Sequence, residues 1–245
     1  DKKGFVNNLV KFFIHKIEKK CYNSCNKLIF LSKEMKEQAR ELYQLKEKIL
    51  EVQYPFITLK DRKTNNLDHI FKNNNKHIVY SGALGEKQNP KKLFQFFNEA
   101  SLNIKNVSFH FFSEGEEINK LKKNNSNSNI HFHKLVKKEN LEELYNRSDV
   151  QIIPQKEGTS KGSLPSKLPN LLASQCKVLL ITDPNSELEK LFIDNNLDFV
   201  STNWDFTLLV QCLKKLLNKD VDFNHQNKIA ESFFTIDKMI QKVLS

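Results

Sequence analysis

The stretch Val79-Tyr80-Ser81-Gly82-Ala83-Leu84-Gly85-Glu86-Lys87-Gln88-Asn89-Pro90 carries an apolar segment into a glycine-bearing turn and, through a proline, into a helical pattern. His77 to Ser81 reads as a buried strand, and Lys91 to Ala100 places apolar residues at intervals of three and four, as a helix does. The same alternation recurs downstream. Strands are expected at Val107 to Ser113, Ile130 to His133, Val150 to Pro154, Lys177 to Thr182 and Phe199 to Ser201. Helices are expected at Glu116 to Lys123, Lys138 to Arg147, Lys167 to Ser174, Ser186 to Asn195 and Asp205 to Asn218. Strand-helix alternation of this length predicts an α/β fold, a doubly wound parallel sheet with helices on both faces. Ligands bind such sheets beyond the carboxyl ends of the strands, so the loops after Tyr80, Phe112, Phe132 and Ile153 are where chemistry is expected.

The first of these loops holds Gly82 and Gly85, which allow close approach of backbone, and Lys87, which adds positive charge at the mouth of the following helix. It is neither a G-x-G-x-x-G fingerprint nor a P-loop, and a structural turn also accounts for it. The second loop, Ser113-Glu114-Gly115-Glu116-Glu117, sets a glycine after a strand and acidic residues where the helix macrodipole favours them. The third follows His131-Phe132-His133, read as one buried and one exposed histidine, and no metal is assigned there. The fourth, Pro154 to Lys167, is the richest. Glycines, hydroxyls and three lysines precede a helix start, an arrangement suited to a diphosphate without a metal. Pro165 fits a position before or within the first turn, where its missing N–H costs nothing, and Pro169 still falls within that turn if Ser166 is the cap.

The 245-residue chain is long enough for one large domain or two small ones, and 39% hydrophobic residues suffice for a core. Its net charge of +10 invites a polyanionic partner, yet all but three of the 39 basic residues are lysine, the exceptions being Arg40, Arg62 and Arg147. Base readout favours the arginine fork, so nucleic acid is not expected as a partner. The tracts Asn73 to Asn75 and Lys122 to Asn129 read as exposed turns. Cys21, Cys25, Cys176 and Cys212 form no CxxC pair and have no histidine at ligand spacing, which indicates reduced thiols and no zinc site. No secretory signal is visible, and no apolar run reaches the roughly 20 residues a membrane span needs. These features point to a cytoplasmic location.

Toward the front, Phe5 to Lys20 reads as an amphipathic basic helix, suited either to an anionic membrane surface or to packing on another part of the protein. Lys27 to Ser32 reads as a short strand and Glu34 to Tyr43 as a helix capped by Ser32. Asp61 to Lys76 is Asn-rich and linker-like. The chain opens at Asp1 already in a helical pattern, and its natural N-terminus is expected upstream.

Three segments, Val79 to Pro90, Leu141 to Pro154 and Leu164-Pro165-Ser166-Lys167-Leu168 with Leu171-Leu172-Ala173-Ser174, resemble in order and spacing the C-terminal half of GT-B fold glycosyltransferases of family 4, in the capsule and O-antigen branch. The likeness covers about Asn26 to Ser245. It implies a Rossmann-like domain at 61–230 that holds a nucleotide-diphosphate sugar. Residues 1–60 would be the remnant of an N-terminal acceptor domain and linker, and 231–245 a helix crossing back to that domain. By position, Gly82, Ala83 and Gly115 would face the donor, Ser163, Leu164, Pro165 and Ser166 would cradle its distal phosphate and sugar, and Lys87 and Lys167 would stabilise the leaving diphosphate as the catalytic pair. Asn170 stands where many relatives carry a ribose-binding glutamate. The chain departs from the family at Ala83, where an arginine is common, at Gly162 and Asn170, in place of a pair of glutamates, and at Gln175, where a glycine is usual.

The resemblance further implies a retaining transfer of sugar, without metal or other cofactor, from the nucleotide sugar to a glycan or lipid-linked acceptor in surface polysaccharide synthesis. The protein would work in the cytoplasm, peripherally on the inner face of the membrane. The alternatives are a nucleotide-sugar epimerase of the same architecture and a non-catalytic module that binds nucleotide sugar or tethers to membrane.

Overall fold

Short apolar runs bounded by polar turns become parallel strands throughout the chain. The computed structural model describes residues 2–45, 48–59, 64–72, 74–162, 164–197 and 199–244, with side chains from Asn8 onward. Its first part is a small α/β unit: α1 (Lys2–Ser24), β1 (Lys27–Phe30), α2 (Lys33–Tyr43) and β2 (Ile49–Val52), with β1 and β2 paired in parallel. The Ser32 hydroxyl accepts the Met35 amide at 3.1 Å and caps α2, an interaction worth about 1 kcal/mol. Helix α1 docks on this unit through Tyr22 and His15 against Tyr43. Leu9, Val10, Phe12, Phe13, Ile14 and Ile17 remain exposed. At 3.6 residues per turn these side chains spread over a broad arc that also contains Lys16 and Lys20, rather than the single stripe expected from the sequence.

The larger part contains β3 (Lys76–Ser81), α3 (Pro90–Asn103), β4 (Val107–Phe112), α4 (Glu116–Lys123), β5 (Ile130–His133), α5 (Leu141–Asn146), β6 (Val150–Pro154), α6 (Leu168–Leu172), β7 (Lys177–Ile181), α7 (Glu187–Asp194), β8 (Val200–Ser201), α8 (Phe206–Asn218), α9 (Phe223–Phe233) and α10 (Ile236–Leu244). Six parallel strands lie in the order β5-β4-β3-β6-β7-β8. After β5 the chain returns across the sheet to β6, so the switch point falls between β3 and β6. Ile78, Tyr80, Phe109 and Phe111 point to one face and bury Leu93, Phe96 and Phe97 of α3 with Leu209 and Leu213 of α8. Val79 and Phe112 point to the other, against Leu144 of α5, Leu171 of α6, Phe192 of α7 and Ile229 of α9. Each such side chain contributes roughly 1.5–3 kcal/mol on burial.

Residues 64–72 of the linker-like segment are instead a cap on the second face. The buried Glu143 carboxylate accepts from the Thr64 hydroxyl at 2.6 Å and from the amides of Asn66 and Leu67 at 2.9 Å. Burial alone would raise its carboxyl, but these donors hold it below the usual range. Phe71 packs on His77, His110 and Phe112. Around the second Asn tract the side chains are engaged rather than free: Asn127 donates to Asn98 Oδ1 and Ser101 Oγ of α3. Strand β2 and helix α9 have no counterpart in the sequence reading. At the end of the chain, Lys242 of α10 bonds Val52 O, and Lys27 bonds Lys242 O, so α10 lies against the first unit.

Candidate functional site

At the carboxyl ends of β3 and β6 lies a cleft of about 290 Å³, lined by Gly82, Ala83, Lys87, Pro165, Ser166 and Lys167 together with Tyr80, Tyr145, Thr159, Leu135 and Val136. The fold puts it at the switch point, where neighbouring crossovers leave in opposite directions. Gly82 has φ +124°, a conformation open to glycine, and donates its N–H to Phe112 O at 3.0 Å. The Tyr80 hydroxyl donates to Ala83 O and closes the turn from below. A single 3₁₀ turn, Glu86–Gln88, then carries Lys87 to the rim before Pro90 starts α3. Lys87 is exposed, and its ammonium has no partner among the described residues.

Lys167 behaves differently. Strands β3 and β6 pair only at Ile78 with Val150 and Val79 with Gln151, then diverge. The Lys167 ammonium fills that divergence, donating to Ser81 O at 3.1 Å and Ile152 O at 3.0 Å and lying 4.5 Å from the Tyr80 ring centroid. Its stem faces the cleft while the charged end is turned into the sheet, and burial pushes its pKa down to about 7. Nearby Tyr145 is pushed up to about 12 by burial.

The loop after β6 is pinned from several sides. Trp204 Nε1 donates to Gln155 O at 3.0 Å, and the Lys156 amide donates to Lys87 O at 2.8 Å. Lys156 also pairs with Glu86 at 2.6 Å, which ties this loop to the first. Asp183, just after β7, accepts from the amides of Gly158 and Ser160 at 2.8 and 3.1 Å and from the Ser160 hydroxyl at 2.6 Å. Burial would raise its carboxyl, and those bonds outweigh it to hold the group below the usual range. The amides of Ser166 and Lys167 have no backbone partner among the described residues.

Of the residues singled out in the sequence, Gly82, Ala83, Lys87, Pro165, Ser166 and Lys167 meet in the cleft. Gly115 does not line it, and opens α4 with φ +113°. Leu164 packs against the core of the second face, and Ser163 lies outside the described residues. Asn170 is 6% exposed and lines an adjoining cavity of about 460 Å³ between the two units, beside Thr58, Tyr54 and Met239. The cavities share Leu141, Tyr145, Ser166 and Lys167. Tyr145 and Asp183 escaped the sequence reading, while Tyr80 and Thr159 entered it only as members of their loops. Asp183 carried a signal, a carboxylate in the loop after a strand.

His131 and His133 correct the expectation of one buried and one exposed ring, for both are partly buried on one face, as residues two apart on a strand must be. They adjoin a chain of imidazoles: His77 Nδ1 lies 3.0 Å from His110 Nε2, and His110 Nδ1 lies 3.1 Å from His133 Nε2. Burial pushes His110 down to about 2 and His133 to about 4. Among the described residues no group of three or more histidine, cysteine or acidic side chains is placed to hold a metal. No helix there is long and apolar enough to cross a membrane.

Residues 61–232 match the family described as "Glycosyl transferases group 1". The putative colanic acid biosynthesis glycosyl transferase WcaI of Escherichia coli (strain K12) is 29% identical over 136 residues, covering 54% of this chain and 32% of that protein. Among solved structures, a mutant of S. aureus TarM in complex with Fondaparinux, alpha-GlcNAc-glycerol and UDP superposes with a TM-score of 0.70 at 14% identity, covering 94% of this chain and 45% of TarM. WaaG, a glycosyltransferase involved in lipopolysaccharide biosynthesis, gives 0.61 at 15% identity, covering 83% and 56%. The architecture is thus that of GT-B glycosyltransferases. The chain spans about a third of the curated relative's length and about half of these structures.

Proposed function

The chain belongs to the glycosyl transferases group 1 family, and from that premise we propose that it is the donor-binding part of a retaining glycosyltransferase using a nucleotide-diphosphate sugar. The observation that carries this reading is the cleft at the β3/β6 switch point. Its rim carries the Lys87 ammonium, which has no partner among the described residues, and the Lys167 ammonium lies beneath it, bonded to Ser81 O and Ile152 O. In the reaction the anomeric C–O bond to the diphosphate breaks, the diphosphate leaves with the electron pair, and a bond forms to the oxygen of an acceptor hydroxyl, whose proton passes to the departing diphosphate. Stabilising the developing negative charge is the main task, and it falls to Lys87 at the rim, with the Lys167 ammonium bonded to strand carbonyls beneath the cleft. Gly82, Ala83, Pro165 and Ser166 border the diphosphate and sugar. The chemistry assigned to these residues calls for no metal or other cofactor.

Residues 1–60 and α10 belong to the acceptor side, residues 61–230 to the donor domain. The acceptor is a glycan, lipid-linked, in surface polysaccharide synthesis at the cytoplasmic face of the membrane. The exposed Lys11, Lys16, Lys19 and Lys20 and the exposed apolar side chains of α1 support peripheral contact with anionic lipid there.

The test is thermal stabilisation by UDP- and GDP-sugars, expected for wild type and sharply reduced in Lys87→Ala. A folded protein indifferent to every nucleotide sugar would end the proposal. One observation favours a second reading, a module that binds nucleotide sugar without transferring it. Asn170, where relatives carry a ribose-binding glutamate, has both ends of its carboxamide taken by Thr58. Binding of donor without transfer to any acceptor, in a protein reunited with an acceptor domain, would select it.

A further inference from the structure

The loop that lines the cleft is held from the opposite unit as well as from its own. Asp183 fixes Gly158 and Ser160 from the donor sheet, whereas the Gly162 amide donates at 2.7 Å to Glu34 Oε2, in the first turn of α2. Gly162 also sits so close to that turn that a Cβ placed on it would lie 3.1 Å from Met35 Cγ, and its φ is +66°. The turn is itself anchored to the donor part. Glu187 of α7 accepts the amides of Lys33 and Glu34 at 2.9 and 3.1 Å and the Tyr54 hydroxyl at 2.8 Å. Two carboxylates therefore cross between the units in opposite directions at one point. Glu187 seats α2 on the donor part, and Glu34 grips the donor loop only while α2 is seated.

We propose that Glu34 is a positioning residue. Reaching from α2 to the Gly162 amide, its carboxylate sets the course of the loop into Pro165 to Lys167, so that affinity for a nucleoside diphosphate depends on how the first unit sits. This deepens the donor-site reading and rests on it for the ligand. A charge-assisted hydrogen bond is among the stronger single contacts available to hold a loop, and among the described residues Glu34 is the only carboxylate bonded to the Gly162 amide. Local sequence patterns carry no trace of the contact, because the partners stand 128 positions apart.

The experiment uses the whole chain in four forms: wild type, Glu34→Ala, Glu34→Gln, which keeps an acceptor oxygen, and Glu37→Ala, which alters the exposed Arg40 pair on the same helix. Amide hydrogen exchange is followed at residues 155–167, and UDP and GDP are titrated calorimetrically. Glu34→Ala is expected to speed exchange at Gly162 and weaken the bound diphosphate about tenfold, with Glu34→Gln restoring most of both and Glu37→Ala changing neither. Unchanged exchange in Glu34→Ala overturns the proposal, as does faster exchange with unchanged affinity. An equal effect in Glu37→Ala also overturns it, since that would mark general loosening of α2. If wild type binds neither UDP nor GDP while Glu34→Ala still frees the loop, the donor reading falls and the hold of Glu34 on the loop stands.

Discussion

Asn170 and Thr58 exchange two hydrogen bonds: the Thr58 amide donates to Asn170 Oδ1 at 2.7 Å, and Asn170 Nδ2 donates to Thr58 Oγ1 at 3.0 Å. The pair joins α6 to the strap that leaves β2. Asn170→Ala strands a part-buried backbone N–H and is expected to cost about 1–3 kcal/mol in urea unfolding. Asn170→Asp keeps an acceptor for that amide and can receive the threonine hydroxyl, so it should lose less. Equal losses would mean that the contact is incidental.

Histidines buried neutral make the fold sensitive to acid. His110 is 2% exposed, and its folded pKa of about 2 lies below the ordinary 6.5. The unfolded chain therefore binds a proton that the folded one refuses once the pH drops beneath 6.5. Stability is complete above that value and falls as pH decreases, with His110 alone giving a slope of about 1.4 kcal/mol per pH unit. His131 and His133, also lowered, add to it. Urea midpoints between pH 7 and 5, above the carboxylate range, should fall, and His110→Phe should flatten the curve.

Lys167 links ligand and proton. Its pKa of about 7 lies below the usual 10.5, so the folded state binds fewer protons than the unfolded one between those values, and stability should rise with pH across that window. An anionic diphosphate in the cleft favours the charged form. Binding of UDP or GDP near pH 7.5 should therefore take up a proton, seen as a buffer-dependent calorimetric enthalpy, and Lys167→Met should abolish the uptake.

Two glycines of the first loop should part company. Gly82→Ala meets open space but not a tolerated backbone, since φ is +124°, and is expected to destabilise by about 1–3 kcal/mol. Gly85→Ala has no positive φ and its nearest neighbour, Gln88 Oε1, is 3.5 Å away, so thermal unfolding should show a change within about 0.5 kcal/mol.

The parallel sheet was legible because strands covered on both faces are nearly continuous apolar runs bounded by glycine, proline and asparagine, as at Val150 to Pro154. Strand β2 was not. Ile49-Leu50-Glu51-Val52 is four residues long, and its glutamate is paired with Lys27 on the neighbouring strand. Helix α9 was hidden by its polarity, since Gln226 is buried there by donating to carbonyls of Leu171, Ser174 and Cys176. In the site, residues carried by their own strand-to-helix turns arrived where local rules place them, as Gly82 and Lys87 did. Those fixed by partners far along the chain did not: spacing puts Asn170 near the turn, and Thr58, 112 positions away, holds its carboxamide.

The seam filled by Lys167 divides the sheet energetically. Strand β3 joins β6 through two residue pairs but β4 through six, and β6 joins β7 through five. The two flanking panels are better laddered than the line between them, so local opening should begin there, with each panel retaining its amide protection as a separate foldon. A ligand lying across that line would act as a rivet, slowing the parting of the panels more than the fraying of either one.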